Sequence, residues 1–202
     1  MSGGPLTLVL ATRNAHKISE ISAMLVDHNI VVLGLDSAPD MPDDLPEDGD
    51  NFVDNALQKA RFVAAAAGLP ALADDSGLEV EALGWGPGVY SKRYSVAGTD
   101  EANNQKLLAE LGERPSRRAR YRCVLALALP DGKEASVDGL CEGHIGYEHL
   151  GEGGFGYDPL FWPDDAPGRT MAELTQAQKN AISHRGRALR RLGELLDATG
   201  LG

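Results

Sequence analysis

The sequence predicts an α/β fold, and three observations carry that prediction. Leu6-Thr7-Leu8-Val9-Leu10-Ala11 is an apolar run that passes through a short polar turn into a helical pattern with Ile18, Ile21, Met24 and Leu25 on one face. A second strand-like run, Ile30 to Leu35, precedes another helix with its own cap and stop signals. Further on, Tyr121, Cys123, Leu125, Leu127 and Leu129 alternate with Val124, Ala126 and Ala128, so that strand is buried on both faces beyond Arg122.

The first strand runs straight into Thr12-Arg13-Asn14-Ala15-His16-Lys17. A strand, a short turn and a helix start form a phosphate-binding geometry, because backbone N–H groups and the positive helix end point past the strand. The alternative is an Asn-capped helix with a solvated lysine. Residues 36–50 hold seven acids, three prolines and no Lys or Arg, which reads as an extended acidic loop. Most of it is solvated surface; Glu47, just ahead of the next helix, is best placed to reach a metal. Asn51 caps that helix, which runs through Phe52, Ala56, Leu57, Ala60 and Val63 to the stop at Gly68-Leu69-Pro70. Lys59 and Arg61 lie in it, where most lysines face water.

Ala73-Asp74-Asp75-Ser76-Gly77 follows a short apolar run and reads as the end of a strand and a Ser-Gly turn. Adjacent carboxylates repel, and one pKa rises unless a cation or several donors compensate. A metal site answers that problem, although an Asp that caps a turn is the plainer alternative. Gly84-Trp85-Gly86-Pro87-Gly88 reads as an irregular loop, and Thr99 caps a helix apolar at Leu107, Leu108 and Leu111. Arg117, Arg118, Arg120 and Arg122 cluster at the entry to the doubly buried strand, and the simplest expectation is that they balance acidic neighbours. Cys123 and Cys141 flank a hairpin turn at Pro130-Asp131-Gly132-Lys133. A two-residue loop would put them on opposite faces, so a disulfide is disfavoured, and two buried thiols fit a reducing compartment.

Gly151-Glu152-Gly153-Gly154-Phe155-Gly156 satisfies the G-x-G-x-x-G expression, but a dinucleotide fingerprint must open a helix. Here Pro159 and Pro163 follow, and they rule that helix out. What remains is a loop presenting Phe155, Tyr157 and Asp158. An aromatic ring can stack on a base and a carboxylate can accept from N–H groups. Thr170 with Glu173 and Thr175 with Gln178 have capping-box spacing. Ser183, His184, Arg185 and Arg187 then crowd the start of the last helix, a place suited to an anionic ligand. That helix is apolar at Leu189, Leu192, Leu195 and Leu196 and ends at Gly200, with Arg187, Arg190 and Arg191 facing solvent.

The 202 residues suit one domain, in one or two lobes. The formal charge is −11, and residues 1–112 carry nearly all of the excess, 17 acids against 7 bases. Adhesion to nucleic acid or to an anionic membrane is therefore disfavoured, while a small polyanion can bind through a few focused cations or a bridging metal. No charged leader with an apolar segment opens the chain and no run reaches membrane-spanning length, so the expectation is a soluble, cytoplasmic protein.

Taken in order, Thr12 to Lys17, Ala73 to Gly77, Gly153 to Pro159, and Lys179 through Ser183-His184-Arg185-Gly186 resemble the inosine/xanthosine triphosphate pyrophosphatase family, over nearly the whole chain from Leu6 to about Leu196. The resemblance implies a mixed β-sheet with flanking helices, two lobes around a long central cleft within a single domain spanning residues 1–202, and commonly a homodimer. It implies hydrolysis of deaminated purine nucleoside triphosphates (ITP, dITP, XTP) to monophosphate and pyrophosphate with Mg²⁺. Carried onto this chain, Thr12, Arg13, Asn14, Ala15, His16 and Lys17 cradle the triphosphate, with Asn14 and Lys17 as the main side chains and no catalytic role for Arg13 or His16. Lys59 also reaches the phosphates. Asp75 is the catalytic carboxylate and a metal ligand, Asp74 supports it, Ser76 touches substrate, and Glu47 is the second metal ligand. Phe155, Gly156, Tyr157 and Asp158, with Lys179, Ser183, His184 and Arg185, hold base and sugar. Rival readings are a pyrophosphatase for pyrimidine or modified nucleotides and a nucleotide sensor without turnover.

Overall fold

Leu8, Val9 and Leu10 are fully buried, as the opening apolar run requires, and form β1 (Leu6–Leu10). The computed structural model describes residues 5–26, 29–38 and 41–199. In chain order β1 is followed by α1 (Ala15–Leu25), β2 (Ile30–Leu33), α2 (Phe52–Ala67), β3 (Ala71–Val80), β4 (Gly86–Pro87), α3 (Asp100–Leu111), β5 (Arg118–Ala128), β6 (Glu134–Ile145), β7 (Phe161–Pro163), α4 (Gln176–Ile182) and α5 (His184–Thr199). The expected end of α5 at Gly200 lies outside the described residues. The strands form one mixed sheet in the order β2-β1-β3-β5-β6-β7, with β4 paired to β3. β1 is parallel to β2 and β3, whereas β4 and β7 run antiparallel to β3 and β6. The mixed α/β architecture is as the sequence implied.

The described residues group into two compact units. The first draws on the described residues up to Asp75, on Cys123–Gly139 and on the described residues from Arg187 onward, the second on Ser76–Arg122 and Leu140–Gly186. In the first, Leu8, Leu10, Ile21, Leu25, Leu72, Leu125, Leu127, Leu189 and Leu192 pack into one core. The face of α1 foreseen at Ile18, Ile21, Met24 and Leu25 therefore meets β1 and α5. In the second, Leu78, Val80, Leu107, Leu111, Tyr121, Ile145, Leu160, Phe161 and Met171 form another core.

Local rules explain the element boundaries. The side chains of Asn14, Asn51, Thr99 and Thr175 cap α1, α2, α3 and α4, and Gly68 closes α2 in a left-handed conformation. Three arginines of the cluster are structural. Arg117 donates to the carbonyls of Gly112, Ile145 and Gly146, Arg118 pairs with Glu142 and Asp164, and Arg120 pairs with Glu79.

Two expectations are corrected. Asp74 to Gly77 is not the end of a strand: β3 continues through it to Val80. Gly77 is needed there for space rather than for a turn, since a Cβ would collide with the Gly88 carbonyl and the Ser91 hydroxyl. The hairpin also has a longer loop than assumed. Leu129 N donates to Lys133 O at 2.8 Å, Gly132 has φ +88°, and Ile145 N donates to Arg117 O at 2.9 Å. This register is one residue off the two-residue loop, which puts Cys123 and Cys141 on the same face; both are buried free thiols.

Candidate functional site

The polar residues expected to carry chemistry fall into two groups, one in each unit. The first centres on Asp74 and Asp75. Because β3 continues past them, both are buried, 3% and 8% exposed. Each takes a different lysine. The Lys17 ammonium pairs with Asp74 Oδ1, and its other bond runs to the Asp74 carbonyl at 3.4 Å. Lys59 donates to Asp75 Oδ1 at 2.9 Å, to Glu47 Oε2 at 3.0 Å and to the Asp74 carbonyl at 3.1 Å. The cations that the crowded carboxylates demanded are these two lysines. Lys59 is buried, against the expectation that a lysine in α2 faces water.

Cys123 and Asn55 complete this group, and neither was foreseen. Cys123 Sγ donates to Asp74 Oδ2 at 3.2 Å. Asn55 Nδ2 donates to Asp75 Oδ2 at 3.2 Å, while Asn55 Oδ1 accepts from Gly49 N at 2.7 Å. A readable signal existed: Asn55 and Lys59 sit one helical turn apart on the same stripe as Phe52, Ala56, Ala60 and Val63, so two polar residues interrupt an apolar face.

Burial outweighs the neighbouring lysines at Asp75 and holds its carboxyl above the ordinary carboxylate value. Burial opposes the charge of Lys59, but the Asp75 and Glu47 carboxylates more than offset it and raise that pKa too.

The acidic loop meets this group at Glu47, whereas Asp48 is turned to Gln58, which donates to it at 2.6 Å. Asn14 is spent on its cap, with Oδ1 accepting from His16 N and Lys17 N at 3.0 and 3.3 Å. Thr12 Oγ1 accepts from Asn14 N, Ala15 and His16 are exposed, and Arg13 donates to the carbonyls of Pro42 and Asp43. Arg13 therefore ties the turn to the acidic loop.

The second group centres on Asp158. Its Oδ2 accepts from Lys179 Nζ at 2.9 Å and from Phe155 N at 3.0 Å, and its Oδ1 from the Tyr121 hydroxyl at 3.2 Å. Lys179 Nζ also lies 4.5 Å from the centroid of the Phe155 ring, a cation–π distance. Arg185, only 2% exposed, donates to Ser76 Oγ at 3.0 Å and sits 6.0 Å from the same ring. His184 stacks on Tyr121 with centroids 4.7 Å apart. Ser183 Oγ accepts from Gly186 N, and Gly186 lets α5 approach the Asn180 carbonyl, where a Cβ would collide. Tyr157 is turned into the core, with its hydroxyl donating to Ser91 O at 2.8 Å.

In chemical terms, the first group offers two lysines and convergent carboxylates for phosphates and a hard cation. Glu47 and Asp75 both reach one cationic atom, Lys59 Nζ, so their oxygens can converge on a single small ion. Among the described residues no cluster of three or more His, Cys, Asp or Glu side chains could hold a metal by itself. That donor set suits Mg²⁺, which keeps waters and takes further oxygens from substrate phosphates. The second group offers a ring, a carboxylate and fixed cationic donors.

A family model described as the Ham1 family matches residues 8–195. The dITP/XTP pyrophosphatase of Nitratidesulfovibrio vulgaris is 51% identical over 201 residues, covering 95% of this chain and 96% of that one. That of Geobacter sulfurreducens is also 51% identical, over 197 residues, covering 96% and 98%. The structure of the Staphylococcus aureus Ham1 protein superposes with a TM-score of 0.85 at 39% identity, covering 96% of this chain and 99% of that one. The resemblance drawn from four short motifs is therefore borne out along almost the full length, and the chain belongs to the Ham1 family.

Proposed function

We propose that this protein is a Mg²⁺-dependent nucleoside triphosphate pyrophosphatase that cleaves ITP, dITP and XTP between the α- and β-phosphates. Water adds and the products are the nucleoside monophosphate and pyrophosphate. The observation that carries the reading is the pairing of two lysines with two adjacent buried carboxylates on β3. The names of the relatives, dITP/XTP pyrophosphatases, support the substrate class.

In this reading Lys17 and Lys59 swing from their carboxylate partners to the triphosphate oxygens and stabilise charge as it builds on the leaving pyrophosphate. Asp75 orients the attacking water and accepts its proton. Asp74 fixes Lys17. Glu47 and Asp75 would hold Mg²⁺, which supplies charge neutralisation on the phosphates and a more acidic water. The turn from Thr12 to Lys17 supplies backbone N–H groups to the phosphates.

Phe155 stacks on the base, and Asp158, Lys179, His184, Arg185 and Ser76 read base and sugar. Donors aimed at the 6-keto oxygen would meet adenine's amino group donor to donor, and a buried unpaired donor costs about 1–3 kcal/mol. The two units serve as two lobes of one nucleotide-processing domain. We place the protein in the cytoplasm, where its substrates arise; no helix among the described residues is long and apolar enough to cross a membrane. A homodimer, which the resemblance implies, belongs to the same reading.

The test is product chromatography from ITP, dITP, XTP, GTP and ATP with Mg²⁺. Monophosphate plus pyrophosphate from the first three is expected; diphosphate plus phosphate, or a preference for UTP or dTTP, would overturn the reading.

A further inference from the structure

The peptide groups flanking Gly156 are held from both sides by one helix. Gly156 N donates to Asp100 Oδ2 at 2.6 Å, and Gly156 O accepts from Asn104 Nδ2 at 3.0 Å. Asp100 and Asn104 are four residues apart in the first turns of α3, so they lie on one face of it. Gly156 itself has φ +63°, a backbone conformation that a side chain would disfavour. The residue before it carries the Phe155 ring, and two residues after it stands Asp158, whose Oδ2 accepts from Phe155 N.

The arrangement is kept at a cost. Asn104 is 2% exposed, and among the described residues its Oδ1 is buried without a partner. Rotating the amide would not relieve this, because it would aim that oxygen at Gly156 O and leave Nδ2 unmatched instead. A buried unsatisfied acceptor is disfavoured and calls for a reason. The reason here is the bond to Gly156 O.

We infer that Asp100 and Asn104 are positioning residues for base recognition: α3 fixes Gly156 and thereby the place of the Phe155 ring. This rests on the proposed function and extends it to residues that neither touch phosphate nor read the base. With the clamp intact the loop meets the base already ordered, and less binding free energy goes into ordering it. With the clamp broken, nucleotide binding should weaken while phosphate binding is untouched.

The experiment compares wild type with Asp100→Ala, Asp100→Asn, Asn104→Leu and Asn104→Asp. It measures affinity for inosine monophosphate and for pyrophosphate with Mg²⁺, and the ratio of kcat/KM for ITP over ATP. Asp100→Ala and Asn104→Asp should weaken inosine monophosphate about tenfold and lower the ITP/ATP ratio, with pyrophosphate affinity changed less than about twofold. Asp100→Asn retains an acceptor oxygen and should recover most of the loss. Thermal melts identify variants that fail to fold, and Asn104→Leu, which removes the orphan oxygen as well, provides a second break in the clamp. Unchanged monophosphate affinity in folded variants, or equal weakening of both ligands, overturns the inference. Wild-type protein that neither binds inosine monophosphate nor hydrolyses ITP overturns the functional reading itself, which keeps the two failures apart.

Discussion

Lys59 Nζ lies 2.9 Å from Asp75 Oδ1, on a lysine side chain that is only 7% exposed. An ammonium is expensive to bury unless it is paired and hydrogen-bonded, and this one has Glu47 and the Asp74 carbonyl as well. The pair is not balanced. Lys59 is held in its charged form by two carboxylates, while burial pushes Asp75 towards its neutral form. A divalent cation bridging Glu47 and Asp75 would displace Lys59, freeing its ammonium for a phosphate. The roles proposed for the two residues therefore follow from one exchange of partners.

Asp75→Asn keeps the shape of the side chain and removes its charge. Turnover of ITP with Mg²⁺ should fall at least ~100-fold, the size typical of losing a positioned acid/base group. The chain should still fold: the amide oxygen remains for Lys59, and setting the amide nitrogen against Asn55 Nδ2 costs about 1–3 kcal/mol. Steady-state kinetics beside a thermal melt checks this; a loss of only a few-fold would remove Asp75 from the chemistry.

The raised pKa of Asp75 makes a prediction with a definite sign. The folded protein binds this proton more tightly than the unfolded chain, whose ordinary value is 3.8. Any stability contributed by the neutral acid is present below that value and is lost as pH rises through the higher folded value. Mg²⁺ favours the anion, so it should pull the titration of Asp75 down and stabilise the protein at neutral pH, where the metal-free protein bears the buried charge. Carboxyl-carbon NMR titration with and without Mg²⁺ measures the first effect, and denaturant unfolding at neutral pH with and without Mg²⁺ measures the second. An Asp75 that titrates at or below 3.8 without metal contradicts the account.

Cys123 separates a positioning role from mere packing. Its thiol donates to Asp74 Oδ2, while Lys17 pairs with Asp74 Oδ1. Cys123→Val keeps the side chain apolar, adds about one methyl group and removes the donor, which should cost about 1–3 kcal/mol for the buried carboxylate that loses it. It should also raise KM for ITP by loosening Lys17. Cys123→Ser restores the donor and should recover both. Denaturant unfolding and kinetics on the two variants decide the matter; equal behaviour of Val and Ser would mean that the thiol only fills space.

The fold was legible wherever the information is local. The apolar runs of β1 and β5, the face of α1 and the capping side chains of Asn14, Asn51, Thr99 and Thr175 need no knowledge of the rest of the chain. The site was legible as residue types in order, less so as partners. Asp74 and Asp75 signalled a need for cations, but nothing near them says that Lys17 takes one and Lys59 the other. Asn14 Oδ1 caps α1, the plainer of its two readings, and the cap does not engage Nδ2, the donor that a phosphate would take. Tyr157 stood beside Phe155 in the motif, yet its hydroxyl goes to Ser91 O. Lys59 was marked out by the resemblance alone, since a lysine in a helix is usually solvated; its burial follows from carboxylates on the acidic loop and on β3. The continuation of β3 was hidden for a related reason, since Ser-Gly is a turn signal unless another backbone closes on the glycine.

That close approach can be tested directly. The Ser91 hydroxyl donates to Gly88 O at 2.6 Å and accepts from Leu78 N at 2.9 Å, so Gly77 lies under a segment that is itself hydrogen-bonded to β3. A methyl group at position 77 would meet the Gly88 carbonyl and the Ser91 hydroxyl together. Gly77→Ala should therefore cost about 1–3 kcal/mol, as overpacking does, even though alanine suits a strand better than glycine. Gly84→Ala is the control for backbone conformation: its φ is +65° with nothing within 4 Å of a Cβ, so its cost comes from strain alone. Removing the Ser91 side chain should relieve part of the Gly77→Ala cost and none of the Gly84→Ala cost, because only the first depends on a neighbour that can be taken away. Denaturant unfolding of the three single and two double variants reads this out. A Gly77→Ala protein as stable as the parent would show that the strand does not need the gap, and equal relief at both positions would place the effect in Ser91 alone.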